Sequence, residues 1–501
     1  MRVSVAMRVD SFVESNIPEG PMTDLRSSRL DAFIARPRRA VWVMALPMMA
    51  GMMFHSLYTV ADTAFVGQLG PEALAALTFV FPLFFVVVAL ASGLATGVTA
   101  GVAQAIGRRD HEDAGRIAAN GLTLGVIGAL SMGAVGQALG PRMLEALGAS
   151  SATAGLAWDY LQVIIISLPL FFISGALRAV LNGEGDAKTP MVVMAGATVL
   201  NIILDPIFIF TLDMGIRGAA IATMIAQGLT LLTFIYLMLV RRRSVVRIHL
   251  AQMPLAVATV RSILVIALPM SLSQLLMAGG AALTNRLLAH FGQLTVAGYG
   301  AAWRVDMLVG MPIMGLALGS VSVIGMFAGA KRVDLVRSTT LYTFRWAVTI
   351  ASSLGVCAWL ASHTLMHLFT DDPTAISVGE TYLGFMVFAY PMMGIGMTSG
   401  RILQALGYGV PALIITAVRL MLVGVPAAYT AVYAFNAPVE AVWASFIVGG
   451  FCSVVLGILW VRSAVWTRDP SERAARTLGK RPAALATGEA GTTAQRGRRK
   501  P

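Results

Sequence analysis

Residues 73–101 read ALAALTFVFPLFFVVVALASGLATGVTAG, and no Asp, Glu, Lys or Arg interrupts them. A hydrocarbon core about 30 Å thick takes roughly 20 apolar helical residues, so this stretch is long enough to cross a bilayer. Eleven more such stretches surround it, giving twelve in all. They lie at about 41–66, 73–101, 115–138, 153–180, 190–212, 217–240, 261–286, 295–326, 338–363, 376–402, 411–434 and 438–463. Composition agrees, since 57% of the 501 residues are hydrophobic, 12% are charged and mean hydropathy is +0.76. Soluble domains carry about 25% charged residues, so half that share excludes an ordinary soluble globule as well as a disordered chain. The expected fold class is all-α integral membrane, with twelve transmembrane helices.

Only two cysteines occur, Cys357 and Cys452, which excludes a secreted disulfide scaffold. Both lie in apolar runs and are expected to be small core residues. The net charge is +12, but Lys and Arg concentrate in connections and tails rather than in a patch interleaved with aromatics, so no nucleic-acid partner is expected. Residues 1–40 mix Arg with Asp and Glu and lack an apolar h-region, so the first hydrophobic segment reads as a span, not a secretory signal.

An even number of spans puts both termini on one side. With cytoplasmic termini, the inner connections hold Arg108, Arg109, Arg116, Lys188, Arg241, Arg242, Arg243, Arg247, Lys331, Arg332 and Arg337, against Arg142, Arg217 and Arg286 outside. The positive-inside bias therefore predicts a plasma (inner) membrane protein with both ends in the cytoplasm.

Internal repetition organises the twelve spans. Leu46-Pro47-Met48 returns 222 residues later as Leu268-Pro269-Met270, and Gly67-Gln68-Leu69 returns after 225 as Gly292-Gln293-Leu294. Arg178, Gly183, Gly185 and Pro190 resemble Arg401, Gly407, Gly409 and Pro411, with both glycine offsets at 224. A duplicated six-helix unit follows; because six is even, the copies form parallel repeats about an axis along the membrane normal. The expected layout is an N-terminal tail (1–40), a first lobe (41–240), a cytoplasmic linker (241–260), a second lobe (261–465) and a basic disordered tail (466–501) near anionic headgroups.

Ionisable groups inside spans are costly, so each is a functional candidate. Asp62 sits near the outer end of span one, with His55, Tyr58 and Thr59 seven, four and three positions before it on one polar stripe. The bland alternative is an interfacial cap. In span five, Asn201 and Asp205 share a face at i, i+4, where an amide oxygen and a carboxylate converge on a proton or hard cation. Pro206 withholds an N–H and loosens the preceding turn; the alternative is a pair that only fastens the bundle. Thr223 follows in span six after the small residues Gly218, Ala219 and Ala220, which allow close helix approach. Span eight carries Arg304 and Asp306, whose i, i+2 spacing separates them on a regular helix. Arg304 is expected to anchor the repeat interface and Asp306 to line a cavity. Pro47 and Pro269 are expected kink points, and Met44, Met48, Met49, Met52 and Met53 offer a soft surface, for lipid packing or varied apolar ligands.

Enzyme signatures are weak. Gly183-Glu184-Gly185-Asp186-Ala187-Lys188-Thr189 has Ala187 where a Walker loop needs glycine, and reads as a tight turn before Pro190. With no ATP-binding domain outside the spans, an ion gradient is the remaining energy source, no catalytic activity is expected, and no cofactor is called for.

The run from Leu46-Pro47 through Val60-Ala61-Asp62-Thr63-Ala64-Phe65-Val66-Gly67-Gln68-Leu69-Gly70 resembles the first-helix motif of multidrug and toxic compound extrusion (MATE) transporters. Arg178 to Gly185, Asn201 to Asp205 and Gly218 to Thr223 resemble that family's fourth to sixth helices. The resemblance covers about residues 40–465. It implies two lobes around a cavity that opens alternately to either side, with Asp62, Asn201, Asp205 and Thr223 forming a cation site in the first lobe, for H⁺ or for Na⁺ at Asp62, Asn201 and Asp205. The departures are an acid-free Met270 to Leu283 in span seven, and Met326-Phe327 where many members show Gln-Asn. The pattern is closer to the DinF-like branch. The implied function is a secondary antiporter that exports organic, often cationic, amphiphiles and works as a monomer among membrane lipids. The rival is a lipid-linked saccharide flippase of the same superfamily, which should line its cavity with arginines; those well inside spans are Arg304, Arg345 and Arg419.

Overall fold

A computed structural model describes residues 22–249 and 252–467. The expected basic tail from residue 468 and residues 1–21 lie outside the described residues. Twelve long helical segments follow one another: Pro37–Gly67, Pro71–Gly107, His111–Ala146, Ser151–Gly183, Lys188–Thr211, Gly215–Val240, Val257–Phe291, Gln293–Gly329, Val333–Leu360, Pro373–Ala405, Gly409–Phe435 and Glu440–Trp466. They are spans one to twelve. Ten are long and apolar enough to cross a membrane; spans nine and ten are as long but more polar, carrying Arg345, and Glu380 with Arg401. No strand occurs among the described residues.

Local chemistry sets the ends. Pro37, Pro71 and Pro373 occupy first helical positions, where a missing N–H costs nothing. Asp110 and Ser150 cap spans three and four by accepting from the backbone N–H of Asp113 (3.0 Å) and Thr153 (3.3 Å). Two expectations change here. Residues 22–35 form a helix of their own (Met22–Ala35) and span one begins at Pro37, so residues 1–40 are not simply a tail. Cys357 is exposed and Cys452 only partly buried: in a bilayer protein an apolar run faces lipid as readily as it faces a core.

The backbone carries the duplication more sharply than the tripeptides do. Gly70 and Gly292 turn with φ of 111° and 108°, Arg109 and Lys331 with 59° and 58°, and Gly185 and Gly407 with 87° each. All three pairs are 222 residues apart, as are Pro47 and Pro269. Gly185 thus pairs with Gly407, correcting the expected pairing with Gly409: the left-handed turn, not the dipeptide spacing, marks equivalence. Both lobes also carry π windings, at Ile207–Thr211 and Tyr236–Val240 in the first and at Val418–Gly424 and Ser463–Thr467 in the second, but not at the 222-residue offset.

Buried residues fall into three cores. One, including Val41, Met44, Val98, Ile106, Ile263, Leu316, Phe327, Leu403 and Val461, draws on both lobes at the end carrying the described termini. The other two are private to one lobe each and lie toward the opposite end, around Val66, Leu77 and Ile164 in the first lobe and Tyr299, Tyr390 and Trp443 in the second. The lobes are therefore sealed together at the terminal end. Backbone packing there leaves no room for side chains. A Cβ on Gly107 would lie 2.1 Å from the Met326 carbonyl, and one on Gly329 would lie 2.1 Å from that of Gln104. Trp42 Nε1 donates to Tyr342 OH (2.9 Å) and Gln104 Nε2 to the Ala405 carbonyl (2.8 Å) across the same seam.

The linker is not a loose surface strap. Glu184 Oε2 accepts from Ser244 Oγ (3.0 Å) and from the N–H groups of Val245 (2.8 Å) and Val246 (3.1 Å), while Asn120 binds Gln252 and Ala256. Val246 is buried in the shared core. Glu184 lies in the turn after span four, and burial pushes its carboxyl up to about 7, despite the opposing influence of Arg29 and the two hydrogen-bond donors Val246 and Ser244.

Candidate functional site

Span five places Asn201 and Asp205 one turn apart, both buried. Asn201 Nδ2 donates to Asp205 Oδ1 (3.1 Å) and reaches Thr223 Oγ1 of span six at 3.5 Å. Span one closes the group, because Tyr58 OH shares a hydrogen bond with Thr223 Oγ1 (3.0 Å) and Asp62 is buried beside it, near enough to Asp205 for their charges to interact. Thr198 Oγ1 contacts the Phe54 carbonyl at 3.5 Å, tying span five to span one just below. Three helices therefore bring Tyr58, Asp62, Asn201, Asp205 and Thr223 together.

Local sequence explains the approach. Pro206 has no N–H to offer the carbonyl of Ile202, and the helix rewinds as a π turn over Ile207–Thr211 directly after it. Gly218 in span six then packs on that turn, where a Cβ would lie 2.5 Å from the Phe208 carbonyl.

The acceptors are oversupplied. Asp62 Oδ1, Asn201 Oδ1 and Asp205 Oδ2 are each buried without a hydrogen-bond donor among the described residues. A buried oxygen left unpaired costs about 1–3 kcal/mol, more if charged, so three of them on the packed spans one and five offer a donor set for a proton or a hard monovalent cation.

Other candidates lie elsewhere. The His55 side chain lies outside the described residues. Thr59 is exposed and its carbonyl accepts from Thr63 Oγ1 (2.8 Å), which puts it on the rim of the stripe. Arg304 does not anchor the repeat interface: it is exposed, with Nη1 on the Gly300 carbonyl (3.3 Å) and the guanidinium 5.6 Å over the Phe369 ring. A cation at the outer end of a span finds the interface cheaper than the lobe seam. Arg345 is exposed as well. Asp306 lies inside the second lobe, its two carboxylate oxygens accepting from Tyr382 OH and Tyr390 OH, with Tyr299 and Trp443 stacked alongside at 5.6 Å. Span one runs helically through Pro47, and span seven through Pro269.

Two residues escaped sequence reading. Tyr160 of span four is buried within electrostatic reach of Asp62, Tyr58 and Asp205, and its neighbours Asp159 and Gln162 were the signal that could have drawn attention to it. Arg401 looks like the end of a span but is buried in the lobe seam, donating to Gln404 Oε1 (3.1 Å) and reaching Thr96 Oγ1 of the first lobe (3.4 Å).

Known proteins resemble this chain in sequence and in fold. The chain matches the MatE family model over residues 47–207 and 269–430, the two lobes found above. It is 27% identical to a FAD transporter of Shewanella oneidensis over 394 residues, covering 78% of this chain and 87% of the relative. It is 25% identical to the probable multidrug resistance protein NorM of Thermotoga maritima, covering 86% and 93%. The solved structure of a MOP superfamily transporter from Pyrococcus furiosus superposes with a TM-score of 0.83 at 31% identity, over 88% of this chain and 98% of that one.

Proposed function

The chain belongs to the MatE family, whose members are membrane transporters rather than enzymes, and on that premise we propose a secondary antiporter of the DinF-like branch. It exports organic, often cationic, amphiphiles in exchange for inward H⁺ or Na⁺. The supporting observation is the trio of unpaired buried oxygens on Asp62, Asn201 and Asp205. An entering cation supplies what they lack and removes one of the two negative charges of the Asp62–Asp205 pair. Because Asp62 stands on span one and its partners on spans five and six, binding fixes one position of span one relative to the rest of the lobe. A ligand moves such an equilibrium only through its differential affinity for the two states. The charge asymmetry of the connections supports a cytoplasmic position for the sealed end in a plasma membrane.

The flippase reading has little support, because, of the three arginines well inside spans, Arg304 sits over the Phe369 ring and Arg345 at an open surface pocket, which leaves Arg419 alone as a partly buried one. The test is efflux of a fluorescent organic cation from liposomes under an imposed pH or Na⁺ gradient. Wild type should show flux driven by one gradient, and Asp62→Asn should reduce it to the protein-free rate. Equal flux in the variant, or none under either gradient, overturns the proposal.

A further inference from the structure

A groove of about 1150 Å³ lies between span one, span five, span six and the turn after span four, about one helical turn from Asn201 toward the terminal end. It is larger than the roughly 300–1,000 Å³ of drug-sized sites. Its apolar walls are open to the surrounding bilayer: Val43, Val192, Leu229 and Tyr236 are 45, 53, 44 and 45% exposed. Its mouth, at the sealed end, carries Arg29, Arg36, Arg39, Lys188, Arg241 and Arg243.

Against these six cations stands one acid, Asp186, already engaged by Arg29 (3.2 Å) and by Thr189. Arg241 rests on Tyr236, donating from Nε to its hydroxyl at 3.0 Å. For Arg36, Arg39 and Lys188 no carboxylate lies within ion-pair distance among the described residues. By the 222-residue offset Arg39 corresponds to Arg261, but Arg36, Lys188, Arg241 and Arg243 correspond to Ala258, Val410, Ser463 and Val465, so most of the cluster is a feature of this lobe and not of the repeat.

An apolar trough flanked by membrane and crowned by unneutralised cations complements one ligand chemistry: an anionic headgroup on acyl chains. We propose that the groove holds an anionic glycerophospholipid of the leaflet next to the chain termini. Its phosphate lies among Arg36, Arg39 and Lys188, and its chains run along Val192, Leu200 and Leu229. The same rim repels organic cations, which separates this site from the transport path. Because spans one and five both wall it, the lipid braces the helix that carries Asp205.

The test is native mass spectrometry of the full-length protein from mixed micelles holding equal phosphatidylglycerol and phosphatidylcholine. Wild type should retain the anionic lipid with about tenfold or greater preference, as expected for several basic contacts worth about 1 kcal/mol each. Arg36→Gln/Arg39→Gln/Lys188→Gln should lose that preference. Val192→Trp/Leu229→Trp, which fills the trough and keeps every charge, should lose bound lipid altogether, and both variants should elute as folded monodisperse protein in lipid-free detergent. Equal retention of the two lipids by wild type overturns the assignment. So does a preference that survives both variants, which would leave the groove to another occupant such as residues 1–21 of the chain itself.

Discussion

The two lobes share a backbone plan yet use their carboxylates in opposite ways. In the first lobe, Asp62, Asn201 and Asp205 keep three buried oxygens without donors. In the second, both oxygens of Asp306 are taken by Tyr382 and Tyr390. Applying the 222-residue offset, Asp62 corresponds to Thr284 and Asp306 to Phe84, so neither acid has a counterpart. The duplicated fold supplies the turn geometry twice, whereas the charge was placed in each lobe separately. An unsaturated carboxylate is set to take up an ion; a saturated one fastens helices, here span eight to span ten.

The sharpest way to break this contrast is to neutralise each acid in turn. Asp205→Asn should abolish gradient-driven efflux, a loss of about a hundredfold or more, with little change in melting temperature, because it removes a charge the lobe leaves partly unpaired. Asp306→Ala should do the reverse. It strands two tyrosine hydroxyls, costing roughly 2–5 kcal/mol of stability, while Asp306→Asn, which keeps an acceptor, retains at least about a third of the flux. Paired melting and flux measurements decide it; equal flux losses in Asp205→Asn and Asp306→Asn would erase the distinction.

A second change moves the seam and leaves both acid sites alone. Gly329→Ala forces a methyl against the Gln104 carbonyl, and overpacking of this kind costs about 1–3 kcal/mol. The sealed state should lose about that much relative to the state open at the terminal end. Spin-label distances across that end should lengthen, with efflux altered in rate but still requiring Asp62.

The smallest effect concerns Glu184, whose counterpart in the second lobe is Leu406. Its folded-state carboxyl titrates near 7, above the ordinary value of 4.5. The neutral form therefore favours the folded linker, a contribution complete below about pH 4.5 and lost as pH rises through 7. Melting temperature should fall by a few degrees across that window, and Glu184→Gln should flatten the dependence. An unchanged slope in the variant would remove Glu184 as its source.

Much of this was legible beforehand. Span count, orientation bias and duplication follow from apolar run length and from the distribution of Arg and Lys, which the bilayer enforces residue by residue. Asp62, Asn201 and Asp205 stood out because a charge or amide inside an apolar helix is rare. Asn201 and Asp205 were a local pair at i, i+4, so helix geometry alone joined them. Tyr160 and Arg401 were not legible, since a tyrosine in an apolar span and an arginine near a span end are ordinary until their neighbours are known. The placement of Arg304 failed for the same reason: its side chain had a cheaper destination at the outer surface over Phe369.

What the sequence determined by itself is the class of molecule, a twelve-span duplicated helical transporter, because backbone satisfaction in lipid admits few alternatives. Only tertiary structure decided which helices meet. It united spans one, five and six around Asp62 and Asp205, saturated Asp306 with tyrosines, and pressed the glycines of spans two and eight into one seam. Those are contacts between residues far apart in the chain, set by packing and hydrogen-bond completion, and no local pattern of residues encodes them.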